Sequence, residues 1–281
     1  MIGAGRLHSA ASFPSSGGRG SERRSRGRVR VIGLALLALA ACDGSKPLIK
    51  REPDRPVFPA ADRPVASVVS TRWSDEESRD RVNEAELVMD RAAIRPGMTV
   101  ADIGAGEGYY TIRLAQRVGP DGRVLAEDIF PAVRDALADR VARQRLDNVS
   151  VKLGAVADPK LPADSFDRVL MVHMYHEIAQ PYEFLWRLRP ALKPDGLVVV
   201  VDADRPTANH GTPPALLECE FRAVGYVPVA RTTMPSAGGY VATFRAEGRR
   251  PDARAIRACR MTPPTPSAAT AAKPAAHEGA R

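Results

Sequence analysis

The stretch Val100-Ala101-Asp102-Ile103-Gly104-Ala105-Gly106-Glu107-Gly108 sets an acidic side chain two residues ahead of three alternating glycines. Glycine permits a tight turn and lets a ligand lie against bare backbone. An apolar run leads into this loop and a helical pattern leaves it, so the free N–H groups of a helix start face whatever the loop holds. A dinucleotide loop spaces its glycines G-x-G-x-x-G; here the spacing is G-x-G-x-G. A second cluster, His173-Met174-Tyr175-His176-Glu177, brings imidazole, phenol and carboxylate together, a set able to orient a bound molecule and take its proton.

The pattern D-x-G-x-G-x-G resembles the first motif of class I S-adenosylmethionine-dependent methyltransferases. The resemblance implies that Gly104, Ala105, Gly106 and Gly108 wrap the methionine part of S-adenosyl-L-methionine, with Asp102 near its ammonium. Later positions fit the same family. Asp128 follows Gly108 by 20 residues and aligns with the acid that accepts hydrogen bonds from both ribose hydroxyls. Its neighbour Glu127 is the alternative, since side chains alternate along a strand. The stretch Gly154–Asp167 resembles the approach to the fourth strand, where an acid holds the adenine edge. Ala155 stands where that family usually has Asp, so Asp158 is the substitute candidate, its other reading being a turn before Pro159. Asp167 and Lys193-Pro194-Asp195-Gly196 also fit, as structural features. The resemblance covers 98–204 and extends more loosely to 247.

In-line methyl transfer from a sulfonium needs alignment and exclusion of water, and a base only where the acceptor must lose a proton. The loop after strand four faces the methyl group in this fold, so the candidate catalytic residues are His176, Tyr175 and Glu177, with His173 lining the cofactor pocket. His176 also aligns with a histidine common in related methyltransferases whatever their substrate, which implies a helix-entry or packing role. Of Tyr109 and Tyr110, one is expected in the core and the other at the cofactor. Arg72 and Trp73 either cover the pocket or pack against the sheet, the second being preferred.

The elements that must position these groups alternate. Ser74 with Glu77 reads as a capping box opening a helix to about residue 93. Strands are expected at 98–104, 123–129, 149–153, 166–174, 197–203, 227–233 and 239–246, and helices at 109–118, 132–144, 182–192 and 214–224. Lys193-Pro194-Asp195-Gly196 reads as a turn. This predicts an α/β, Rossmann-like class I methyltransferase fold: a mostly parallel seven-stranded sheet with helices on both faces. The short link between the last two strands requires an antiparallel strand at the C-terminal end.

The flanks differ in kind. Arg23–Arg30 is strongly cationic, Val31–Ala40 apolar, and Leu39-Ala40-Ala41-Cys42 resembles a bacterial lipobox, which implies a signal over 1–41 with lipidation at Cys42. The alternative is a misassigned start in front of a cytoplasmic protein; a twin-arginine reading of Arg23-Arg24 is weaker. Residues 42–66 read as a Pro-rich tether, 67–247 as the methyltransferase domain and 248–281 as a disordered Ala/Pro-rich tail. The overall charge of +8 belongs to the ends. Seven arginines face one acid in 1–41 and seven bases face two acids in 248–281, which leaves 42–247 at −3. That balance offers nothing to a phosphate backbone, so no nucleic-acid partner is expected.

Cys42, Cys219 and Cys259 are too few and scattered for a disulfide framework or a zinc site, so no metal is expected. Cys219 reads as a small apolar residue beside Leu216, Leu217 and Phe221. The absence of clustered thiols also argues against an arsenic substrate. The leading expectation is a monomeric enzyme, anchored at the cell envelope, that methylates a small-molecule or lipid-like acceptor. The alternative is a non-catalytic S-adenosylmethionine-binding module, because that cofactor is made in the cytoplasm while a lipidated exported protein would face another compartment. A nicotinamide-dependent oxidoreductase is disfavoured by the glycine spacing.

Overall fold

Val198, Val199, Val200 and Val201 are all fully buried, as a strand covered on both faces requires. They lie in the longest strand of a seven-stranded sheet, described by a computed structural model over residues 57–68 and 76–260. The strands are β1 (Thr99–Ile103), β2 (Arg123–Asp128), β3 (Val149–Leu153), β4 (Phe166–Val172), β5 (Leu192–Asp202), β6 (Tyr226–Met234) and β7 (Gly239–Ala246). Their spatial order is β3-β2-β1-β4-β5-β7-β6. The first five run parallel. β7 is antiparallel to both β5 and β6, because only Pro235–Gly238 connects the last two strands.

The helices are α1 (Glu76–Arg81), α2 (Glu84–Arg91), α3 (Tyr109–Val118), α4 (Pro131–Arg143), α5 (Pro181–Leu188) and α6 (Pro214–Ala223). Among the described residues, no helix is long and apolar enough to cross a membrane. One face of the sheet packs against α5 and α6 through Tyr182, Leu185, Leu217 and Phe221, and the other takes Met89, Leu114 and Val118 from α2 and α3. The register sets Ile103 of β1 beside Glu127 of β2 and beside Met171 of β4, so three strands end together at one rim.

Four features depart from the sequence reading. The helix expected to run to residue 93 is two helices, broken where Asn83 takes a left-handed conformation at φ 54°, which asparagine tolerates. The turn expected at Lys193–Gly196 lies inside β5. There the β4 register jumps from Phe166–Leu192 to Arg168–Leu197, so the Pro-Asp-Gly segment is taken up as a bulge.

The other two concern the flanks. Residues 57–66, read as tether, pack onto the domain: Arg63 and Ala66 are buried, and Phe58 meets Trp186 edge-on at 5.5 Å. Residues 248–260, read as tail, bury Ala253, Ile256 and Cys259, and Asp62 bridges to Arg260 in parallel. Cys219 is no isolated apolar residue but is disulfide-bonded to Cys259. These flanks lack periodicity; pairing of Arg63 with Glu220 and the disulfide hold them, and composition shows neither. The signal at 1–41, Cys42, Arg72, Trp73, Ser74 and the tail beyond 260 lie outside the described residues.

Candidate cofactor and acceptor site

The rim where β1, β2 and β4 end opens into a cavity of about 760 Å³. Its floor is the glycine loop. Gly104, Gly106 and Gly108 all have positive φ, at 66°, 54° and 90°, a region L side chains rarely adopt. At Gly104 a Cβ would come 3.2 Å from Met174 Cγ, on the cavity wall opposite. Gly108 does a different job. It caps α3 against Leu137, whose Cδ1 a Cβ would overlap, and it does not line the cavity.

The end of β2 ties this loop down. Asp128 Oδ2 accepts from the Gly106 N–H at 3.1 Å and Oδ1 from the Phe130 N–H at 2.9 Å. The Ala105 N–H donates to the Glu127 carbonyl at 2.9 Å. Both acids line the cavity. Glu127 lies against Gly154, where any Cβ would overlap its carboxyl, and its Oε1 is buried with no hydrogen-bond partner among the described residues. Burial, reinforced by the adjacent Asp128 charge, pushes the Glu127 carboxyl up to about 8, so it holds a proton at neutral pH.

Asp102 stands below the floor, 3% exposed, accepting from Thr111 Oγ1 at 2.6 Å. Burial raises its carboxyl to about 6. It braces the junction of β1 and α3 from behind the glycine loop and does not itself line the cavity, so any part it takes in holding a ligand runs through backbone or water contacts. Asp158 also stands off the wall. It bridges Ala155, its Oδ1 accepts from the Lys160 N–H at 2.8 Å, and Arg187 lies 3.5 Å from Oδ2. Val156, 56% exposed, reaches the wall instead, with Phe130.

On the opposite side Glu84 gathers three partners at one oxygen: Arg79 Nη2 at 2.6 Å, the Tyr110 hydroxyl at 3.0 Å and His173 Nε2 at 3.4 Å. Burial alone would raise its carboxyl, but His173 and Arg79 hold it down at about 2. Arg79 and His173, so anchored, line the cavity. Tyr109 joins them, its ring between the Arg79 and Arg113 guanidiniums and its hydroxyl donating to Asp80 at 2.8 Å, while Tyr110 packs beneath.

The loop after β4 divides the expected catalytic set. A 3-10 turn, Tyr175–Glu177, directs Tyr175 and His176 inward, both 0% exposed. The Tyr175 hydroxyl donates to Glu220 Oε2 at 2.7 Å, and His176 Nδ1 lies 3.0 Å from both oxygens of Asp202. Neither lines the cavity, so direct contact of either with a molecule held there does not fit their positions; Glu177 does line it. Sequence reasoning missed Arg79, Glu84, Phe130 and Asp202. One signal for Asp202 was available: it closes β5 as Asp128 closes β2.

Residues 100–196 match the profile of a family described as a methyltransferase domain. Among similar curated proteins, nocamycin O-methyltransferase of Saccharothrix syringae is 42% identical over 85 residues, covering 30% of this chain and 30% of the relative. The arsenite methyltransferase of Halobacterium salinarum is 32% identical over 114 residues, 40% of this chain and 28% of the relative. The ubiquinone/menaquinone biosynthesis C-methyltransferase UbiE of Bordetella parapertussis is 34% identical over 123 residues, 42% and 46% respectively. The chain thus spans less than half the length of each of these relatives. Among solved structures, an S-adenosylmethionine-dependent methyltransferase from Aquifex aeolicus superposes with a TM-score of 0.56 at 22% identity, covering 61% of this chain and 98% of that one. The sheet order, the antiparallel C-terminal strands and this superposition establish a Rossmann-like methyltransferase fold.

Proposed function

From a methyltransferase domain at residues 100–196, we propose that this chain is an enzyme that binds S-adenosyl-L-methionine and passes its methyl group to a small-molecule or lipid-like acceptor. The observation that carries this is the cavity at the strand ends, floored by bare glycine backbone and flanked by two acids. The residues present fit the nucleoside. The buried Glu127 Oε1 and the neighbouring Asp128 suit ribose hydroxyls; protonated, Glu127 donates as well as accepts. Phe130 and Val156 give the adenine an apolar wall. Arg79 offers its positive charge to the amino-acid carboxylate.

When bound, S-adenosyl-L-methionine supplies a sulfonium-activated methyl group. The chain's own contribution is alignment and exclusion of water, through Met174 against the glycine floor and His173 and Glu177 on the facing wall. Glu177 is the group of the 175–177 turn positioned to take a proton from an acceptor hydroxyl or amine. An arsenic substrate suits this chain poorly, because Cys219 and Cys259 are joined to each other.

Titration of the full chain with S-adenosylmethionine and, separately, NAD by calorimetry tests the cofactor assignment; tighter binding of NAD would overturn it. Methyl transfer from labelled cofactor then separates an enzyme from a binding module. That second reading gains support from the disulfide, a bond favoured by oxidising compartments outside the cytoplasm where the cofactor is made. The same bond supports location at the cell envelope, with Cys42 as the lipidated anchor. Mass spectrometry of the mature N-terminus checks it, an unmodified start upstream of Cys42 being the contrary result.

A further inference from the structure

His176, Glu177 and His210 each offer one ligand atom, and the three atoms lie within 4.8 Å of one another. We propose that this trio is a binding site for a divalent first-row metal ion of the zinc type, adjoining the cavity wall at Glu177. The reading goes beyond methyl transfer and stands whether or not the cofactor assignment holds.

Four observations converge on it. Two imidazoles and one carboxylate form the donor set of three-ligand zinc sites, which keep a fourth position open for water or substrate. Second, His176 is braced as a metal-binding histidine is: Nδ1 faces both oxygens of Asp202 at 3.0 Å, which sets the tautomer and makes Nε2 the nitrogen to ligate. Third, Asp202 is itself fixed, accepting from Thr212 Oγ1 at 2.7 Å and from the Ala203 N–H at 2.8 Å. Fourth, His210 is held in the left-handed region at φ 57°, at the end of the Thr207–Asn209 turn. Strained backbone of that kind persists where the surroundings dictate a side-chain direction. The two rings meet edge to face, 5.5 Å apart at 88°, and do not stack.

Donors about 2.1 Å from a tetrahedral zinc ion stand about 3.4 Å apart, so atoms already within 4.8 Å of one another need only a small inward motion on binding. His210 is half-buried at the end of a surface turn and Glu177 is half-buried on the wall, so both have room for that motion. Glu177 belongs to the trio and to the cavity wall alike. Through Glu177 a metal held there would adjoin the cavity, where, on the methyltransferase reading, a hydroxyl-, carboxylate- or carbonyl-bearing acceptor would be able to coordinate through oxygen.

The test is calorimetric titration of the tag-free full chain, stripped with chelator, with zinc chloride, followed by metal analysis after gel filtration. The expected result is one zinc per chain. His210→Asn, whose new side chain tolerates the left-handed backbone, should weaken binding at least tenfold. Glu177→Gln should do the same with little change in shape, and cobalt(II) should give a low-symmetry visible spectrum that both variants lose. Circular dichroism identical to wild type shows that these variants fold. No zinc uptake by the wild-type chain at about 100 μM metal would sink the proposal, and so would unchanged affinity in both variants. S-adenosylmethionine affinity in the metal-free chain, measured in parallel, reports separately on the cofactor assignment.

Discussion

Arg63 and Glu220 stand 157 residues apart in sequence and meet as an ion pair, Nε to Oε1 at 2.9 Å, with both side chains at 0% exposure. The pair joins three parts of the fold. Arg63 also donates to the carbonyls of His176 and Ile178, at 3.4 and 3.3 Å, and the Tyr175 hydroxyl donates to the second Glu220 oxygen. The N-terminal segment and α6 thereby clamp the turn that carries Glu177.

Glu220→Ala strands a guanidinium in the core, and such a loss costs about 3–5 kcal/mol. Urea denaturation should show that drop. Tyr175→Phe removes one hydrogen bond and leaves the ion pair, so its loss should be nearer about 1 kcal/mol. A Glu220→Ala protein within 1 kcal/mol of wild type would refute the clamp.

The Glu127 carboxyl has a definite signature with pH. Its folded value of about 8 lies above the unfolded value near 4.5, so between those limits the native state holds the extra proton. Stability contributed by the protonated form is therefore lost as pH rises toward 8, and Asp102, raised to about 6, acts in the same sense over a lower range. Glu84, held at about 2, acts oppositely: its contribution is present above pH 4.5 and is lost as pH falls toward 2. Melting curves from pH 5 to 8.5 should decline in wild type and flatten in Glu127→Gln, by on the order of a few kcal/mol at the alkaline end. Parallel curves would rule the assignment out.

Asp128 holds the glycine loop through the Gly106 N–H, fixes the chain beyond β2 through the Phe130 N–H, and lines the cavity. Asp128→Ala should weaken S-adenosylmethionine binding by about 1–3 kcal/mol, the effect of losing hydrogen bonds to a charged group. Asp158→Ala, off the cavity wall, should leave the affinity within error of wild type. Calorimetry on the two variants decides, and the reverse order would restore Asp158 to the site.

The Cys219–Cys259 bond closes a sequence separation of 40 residues. Replacing Cys259 with serine should lower stability by about 2–4 kcal/mol. Limited proteolysis should then cut within 248–260 ahead of the sheet, whereas an equal cleavage rate in both proteins would mean that burial of Ile256 alone holds the segment.

The sheet was legible because its signals are local and dense. Val198–Val201 can only be a doubly covered strand, and the hairpin at 235–238 forces antiparallel pairing whatever lies around it. The glycine floor was legible because a run of alternating positive-φ positions strongly favours glycine. Tyr175 and His176 were harder. Their chemistry is that of a reacting group, and only the tertiary fold, which pairs them with Glu220 and Asp202, turns them inward. Asp158 was chosen by analogy of position, yet a two-residue reversal at Ala155–Asp158 brings Val156 to the wall in its stead. Arg79 and Glu84 were missed because charged residues on two short helices look like an ordinary solvated face until the break at Asn83 brings them together and Tyr110 and His173 are seen packed on Glu84.

The pairing of Asp62 with Arg260 makes neighbours of the two ends of the described residues. A short linker would therefore join them without strain, and the ring so formed can be opened elsewhere, between the exposed Pro120 and Asp121 for example, to give a permuted chain with the same sheet. Trimming is a poorer choice. An expression fragment ended at residue 247, where the last strand's pattern stops, discards the partners of Asp62, Cys219 and Trp186 together.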